Sequence, residues 1–315
     1  MQITSATPHR WGYNGHKHVM PTCGLGSDWL PMPFGLKQLI HSSMSIRRTL
    51  LLSIFASLYI FVATAQTPPP QKLYMYLIYH KLNPGLTIQD ALPVEREWKK
   101  INQAAVDEGR LEGWYMTVKQ FTSNPNQTEY DYVTRIISKE MAIRGASPEA
   151  MARIYGDSVQ AKMADLQKRD RNTAPVVKME IWEISDGAYT PRFAPDNTQF
   201  MIVERMKRRT PGADYEGVLK QIKKLGEERI KRGNLLAWDF ASLVIPNGSE
   251  KGYEFSTSQF VKSLSDVANP VQADSPTPLM PAPAYKQLRS QAAQTFDVVR
   301  QEVYRFMEYT NKPGN

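Results

Sequence analysis

One spacing constrains this chain more than any other feature. The segment Trp98-Lys99-Lys100-Ile101, followed after eight residues by Arg110-Leu111-Glu112-Gly113-Trp114, returns as Ile222-Lys223-Lys224-Leu225 and Asn234-Leu235-Leu236-Ala237-Trp238, with Trp114 and Trp238 124 positions apart. Gly109 matches Gly233 at the same distance, Tyr130-Asp131-Tyr132 matches Tyr253-Glu254-Phe255 at 123, and Trp182 falls opposite Phe306 at 124. Landmarks that keep step over this length mark a duplication. Chance similarity between amphipathic helices would not hold a tryptophan and a later aromatic pair in register. The expected copies are residues 72–190 and 197–310.

Each copy reads as strand, helix, strand, strand, helix, strand. In the first, Leu73–Lys81 alternates as a strand, with Tyr74, Tyr76, Ile78 and His80 on one face. A helix is expected from Pro93, taken as a first-turn residue, to the left-handed stop Gly109. Strands at Leu111–Phe121 and Tyr130–Ile137 flank a turn-rich link, Ser147 and Pro148 open a second helix, and Val176–Ile184 closes the unit. In the second copy the strands are Phe200–Met206, Leu235–Ile245 and Tyr253–Val261, with a helix over Tyr215–Arg232. A second helix over Ala284–Phe296 follows the Pro-rich stretch 269–283. The last strand is placed at Val303–Tyr309, although Val298–Phe306 also reads as a continuation of that helix.

This α+β element order is the ferredoxin-like split βαβ plan, in which one copy leaves a sheet face bare. On these residues the sequence resembles the dimeric α/β-barrel superfamily, which includes antibiotic-biosynthesis monooxygenase-like, EthD-like and NIPSNAP-like proteins. Here it takes the form of two tandem ferredoxin-like βαββαβ repeats making a pseudo-dimeric α/β barrel. The resemblance covers about residues 72–309. It implies a ligand space between sheet and helices, and no catalytic signature of a single member family is matched. Chlorite-dismutase-like relatives carry a haem on one histidine of the second repeat; the one histidine of this chain after residue 65, His80, lies in the first, which speaks against that variant.

Charge and residue counts sort by position. The chain of 315 residues has 39 Lys+Arg, 31 Asp+Glu, five His and one Cys, a net +8. Arg10, Lys17, Lys37, Arg47, Arg48 and Asp28 precede residue 66, so 34 basic against 30 acidic side chains, or +4, remain beyond it. His9, His16, His18, His41 and Cys23 also lie before residue 66. Beyond that point disulfides, thiolate nucleophiles, Cys-based zinc sites and sites with two His ligands are excluded. From Met44, Arg47-Arg48, the apolar run Thr49–Val62 and Ala63-Thr64-Ala65 give the three parts of a signal peptide (44–65) cut after Ala65. Its alternative is an uncleaved anchor at the lower limit of spanning length. Residues 1–43 read as a misplaced start or an extension. The expected destination is the periplasm or the exterior, with no membrane span left after cleavage.

Few side chains after residue 65 offer chemistry. His80 titrates near neutrality; as a base or haem ligand it needs a group to hold its second nitrogen, and the preferred reading is a surface histidine at a strand end. Its counterpart at the 124 spacing is Glu204. His80 and Tyr76 are the catalytic candidates; Tyr74, Trp114, Trp182, Trp238 and Glu204 are the ligand-binding candidates, with packing as the alternative for the tryptophans. Lys119 and Arg135 are expected solvated or paired. The run Arg205–Arg209 reads as a solvated strand end rather than a nucleic-acid patch. Metal and cofactor are expected to be absent. Three functions remain open: a module binding a small apolar or aromatic molecule, a cofactor-independent monooxygenase or isomerase, and a structural or assembly protein, as a monomeric pseudo-dimer or a homo-oligomer.

Overall fold

The computed structural model describes residues 72–312, apart from Arg192, Asn197, Thr198, Ala213, Ser249 and Glu250. The expected signal peptide (44–65) and the segment 1–43 lie outside the described residues. β1 (Leu73–His80) alternates as expected, sending Met75, Leu77 and Tyr79 into one core cluster and Tyr76 into another. α1 (Ile88–Asp107) starts earlier than Pro93. The Thr87 N–H and hydroxyl each donate to the Asp90 carboxylate at 2.7 Å, which fixes the start. Pro93 then stands inside the helix, where the bond it cannot donate is the one to the carbonyl of Gln89.

β2 (Gly113–Thr122) and β3 (Tyr132–Ser138) follow as a hairpin. The expected second helix is broken in two: α2 (Pro148–Tyr155), capped by Ser147, and α3 (Val159–Thr173), separated by a 3₁₀ turn at Gly156–Ser158. Gly156, at φ 58°, stops α2. β4 (Val176–Tyr189) is longer than expected. Beyond it come β5 (Phe200–Arg208), α4 (Glu216–Lys231), β6 (Ala237–Ile245), β7 (Phe255–Val261), the short α5 (Ser265–Ala268), α6 (Ala282–Thr295) and β8 (Phe296–Tyr309). β8 settles the ambiguity at Val298–Phe306 as strand. α1 and α4 end alike: Gly109 and Gly233 have φ of 68° and 79°. Arg110 and Asn234 donate back to Ala105 and Arg229, closing the last turn in the same way.

Among the described residues eight strands pair antiparallel into a closed barrel, β1-β3-β2-β8-β5-β7-β6-β4 and back to β1. The order β4-β1-β3-β2 in the first half is matched by β8-β5-β7-β6 in the second, with seams at β2–β8 and β4–β6. Closure leaves no free sheet edge among the described residues. One face of every strand lines the interior, where Leu77, Val133, Trp182, Val203 and Phe306 pack. The other face meets the helices, around Trp114 and Leu92 in the first half and Trp238 and Leu219 in the second. Among the described residues no helix is long and apolar enough to cross a membrane.

Candidate functional site

The barrel interior is polar at one end and hollow at the other. Alternation turns Tyr79, Glu180, Arg205 and Tyr304 inward. The buried Glu180 carboxylate accepts from the Tyr79 hydroxyl at 2.7 Å, the Trp182 indole N–H at 3.1 Å and the Tyr253 hydroxyl, and pairs with Lys251 at 2.7 Å. Arg205 donates to the Tyr79 oxygen at 3.1 Å, and its guanidinium lies 4.4 Å from the Trp182 ring centre. Burial alone would raise the Glu180 carboxyl; Arg205 and Lys178 instead hold it well below the usual carboxylate range. Nearby, Tyr130 and Tyr304 both donate to Glu302. Leu77 faces Glu180 as Val203 faces Glu302, so each half supplies one buried glutamate at a matching register.

At the opposite end, the starts of β1, β2, β5 and β6 and the ends of β3, β4, β7 and β8 enclose a cavity of about 410 Å³. Its walls are apolar, with Met75, Ile184, Phe193, Met201, Phe260 and Phe306. Four charged side chains interrupt them: Arg135 and Asp239 on the strands, and Glu112 and Lys312, which pair with each other. Arg135 is 2 % exposed, donates through Nε to Thr117 at 3.3 Å, and lies 5.0 Å from the Tyr304 ring centre. Its Nη2 is buried with no partner among the described residues, as is Asp239 Oδ1. Burial pushes the Asp239 carboxyl up to about 6, partly offset by the hydrogen bond from Ser258 and by the Arg135 and Arg205 charges. Arg135 pairs across the sheet with Tyr115, and Asp239 with Ser258. Matched places in the two halves therefore hold different chemistry. The expectation of a solvated or paired Arg135 is corrected: strand alternation carries it into the barrel.

The sequence candidates fall in three other places. Tyr74, Tyr76, His80 and Trp114 face the helices of the first half. Trp182 lies inside the barrel between Arg205 and Tyr253. Trp238 and Glu204 face the helices of the second half, where both line cavities of about 380 and 400 Å³. None of the seven lines the Arg135–Asp239 cavity. Asp239 was detectable: it alternates with Trp238 and must point away from the helices.

His80 is no surface residue. It is 4 % exposed, stacked on Tyr132 with ring centres 4.5 Å apart, and its Nδ1 donates to the Ala174 carbonyl at 3.1 Å while Nε2 accepts from Thr134 at 3.1 Å. Burial lowers its pKa to about 4. Tyr132 pairs with His80 and Phe255 with Met206, so the structural counterpart of His80 is Met206 rather than Glu204. A second polar cluster sits there: His80, Glu95 of α1 and Asp170 of α3 bring donor atoms within 4.8 Å of one another. Tyr132 donates to Glu95 at 2.7 Å, and burial pushes the Glu95 carboxyl up to about 8. The residues present do not fit a haem, because His80 is wedged against Tyr132 and lines none of the three cavities. The run Arg205–Arg209 is also no free patch. Arg205 is buried, Arg208 pairs with Glu254, and Lys207 and Arg209 pair with Asp297.

No protein-family profile matches the chain, and no curated protein matches it. Among solved structures, the chain is similar in fold to a candidate monooxygenase of Fusobacterium nucleatum subsp. nucleatum, with TM-score 0.48, 10% identity, and 78% of this chain and 95% of that one covered. It is also similar to a single-residue variant of the chlorite dismutase of Candidatus Nitrospira defluvii, with TM-score 0.41, 9% identity and 76% and 93% covered. A third similar structure is an anthrone oxidase-like protein, with TM-score 0.39, 10% identity and 78% and 94% covered.

Proposed function

We propose that this chain is a duplicated ferredoxin-like unit, exported and cut after Ala65, whose barrel cavity holds a compact apolar or aromatic molecule bearing one anionic group. The observation that carries the reading is Arg135, which lines a largely apolar cavity of about 410 Å³ and whose Nη2 is buried with no partner among the described residues. Such a volume suits a small ligand. A buried donor left without an acceptor is costly, and an anion that supplies one recovers that cost on binding. The mass of the protein recovered from outside the cytoplasm is expected to correspond to a chain starting at Gln66; an intact amino terminus would remove the export reading.

Two probes of similar body test the site: 8-anilinonaphthalene-1-sulfonate, which is anionic, and N-phenyl-1-naphthylamine, which is neutral. The anionic probe is expected to bind, and Arg135→Met to weaken it by about 10–100-fold, the equivalent of a charged hydrogen bond. The neutral probe should be indifferent to that change. Equal losses for both probes, or none, would remove Arg135 from the site. Asp239 adds a pH dependence. Below about 6 it is protonated and no longer repels the anion, so affinity should rise severalfold as pH falls through that value and stay flat in Asp239→Asn.

The raised Asp239 carboxyl favours one second reading, a cofactor-independent isomerase that uses Asp239 as general base and Arg135 to stabilise the resulting anion. Turnover of an enolisable ligand that disappears in Asp239→Asn while binding persists would select it over simple binding.

A further inference from the structure

The cluster behind Tyr132 plays no part in the barrel cavity, yet it joins three elements far apart in sequence: the end of β1 through His80, the second turn of α1 through Glu95, and the last turn of α3 through Asp170. His80 and Glu95 are 4 % and 1 % exposed. Neither carboxylate forms a salt bridge among the described residues, and Asp170 Oδ1 is buried with no hydrogen-bond partner. The buried Glu95 carboxyl and the partly buried Asp170 carboxyl stand together without a basic partner among the described residues, a group that a cation would complete. The histidine is oriented toward completing it. A carbonyl can only accept, so the Ala174 oxygen fixes the proton on Nδ1 and leaves the lone pair on Nε2, which Thr134 now occupies. A backbone carbonyl holding the far nitrogen is the arrangement that orients metal-binding imidazoles.

We propose that His80, Glu95 and Asp170 form a binding site for one divalent cation, with His80 Nε2 and one oxygen from each carboxylate as its protein ligands. One imidazole nitrogen and two carboxylate oxygens suit Zn²⁺ or Mn²⁺ better than Ca²⁺ or Cu⁺. Ligands about 2.1 Å from a tetrahedral ion stand about 3.4 Å apart. The donor atoms already lie within 4.8 Å of one another, so side-chain rotation of about an ångström brings them to bonding distance. The Thr134 hydroxyl then turns from Nε2 to another acceptor, and Tyr132 keeps its bond to Glu95 as an outer support. Such an ion ties α1 and α3 to β1. The site is confined to the first half, because Met206 stands where His80 does and offers no nitrogen.

The test uses the purified protein stripped with a chelator and titrated separately with ZnCl₂ and MnCl₂, with bound metal counted by mass spectrometry and unfolding followed thermally. Because His9, His16, His18 and His41 can also hold zinc, the readout is the difference between wild type and Asp170→Asn in the same chain. Wild type is expected to retain one equivalent more than Asp170→Asn, and a hundredfold excess of free ion over Kd to raise its Tm by about 5–10 °C. His80→Ala should lose the same equivalent; if it does not fold, Asp170→Asn, whose side chain is only partly buried, decides alone. Equal stoichiometry and equal Tm shifts in wild type and Asp170→Asn would overturn the proposal.

Discussion

Glu180→Ala is expected to lower stability by about 3–5 kcal/mol, the penalty for removing one partner of a buried ion pair. The change leaves Arg205, Lys178 and Lys251 around an empty place in the barrel. It also takes the acceptor from Tyr79, Tyr253 and the Trp182 indole. For a domain of this size the loss appears as a fall in Tm of about 6–20 °C. The double variant Glu180→Gln/Arg205→Met should recover part of it, because the most deeply buried basic neighbour leaves with the carboxylate, while Lys178 and Lys251 still reach solvent. Acid tests the same group from another side. Its carboxyl is held below the usual range, so its contribution is present above that range, begins to be lost as pH falls into it, and is gone only below the depressed folded-state value. Wild type and Glu180→Ala should therefore converge in acid. A loss under about 1 kcal/mol at neutral pH would show that Glu180 is not a buried partner of its basic neighbours.

Trp114→Ala should cost a comparable amount, about 3–5 kcal/mol, for a different reason. The ring is 2 % exposed and packs in the cluster with Leu92, Ala105 and Tyr132, away from the barrel interior. Its removal opens a void between sheet and helix without touching Arg135 or Asp239. The affinity of the anionic naphthalene probe should consequently stay within about twofold of wild type, since none of the probe's contacts is removed. A binding loss larger than the stability loss would restore Trp114 as part of a ligand wall.

How much of this was legible follows from the range of each interaction. The strand positions, the two Gly-closed helices and the matching of Trp114 with Trp238 depend on local pattern, and alternation plus turn residues disclosed them. The start of α1 was readable too, in the Thr87 and Asp90 pair, but the proline at 93 is the louder signal and misleads by more than a turn. The junction of α6 and β8 was not readable, because Thr295 ends the helix and Phe296 begins the strand with no loop residue between them. Arg205 looked solvated because it heads a basic run, and what buries it is Tyr79, 126 residues away. His80 looked isolated for the same reason: Glu95 and Asp170 reach it only after α1 and α3 fold over β1. Arg135 and Asp239 could have been assigned to the interior by alternation alone. That they share one cavity depends on which sheet edges meet, which no local pattern encodes.

β8 has a consequence for how the protein is made. It pairs with β5 of its own half and with β2 of the other, so it is a member of one sheet and a seam of the barrel at once. Until Phe296–Tyr309 has emerged, β2 and β5 each present a bare edge of backbone donors and acceptors, and the inward charges have no enclosure. Folding cannot finish half by half during synthesis, and a ribosome stalled before that strand releases a molecule primed to pair with its neighbours. The same delay keeps the chain open during elongation, the condition in which a polypeptide can be threaded through a narrow channel.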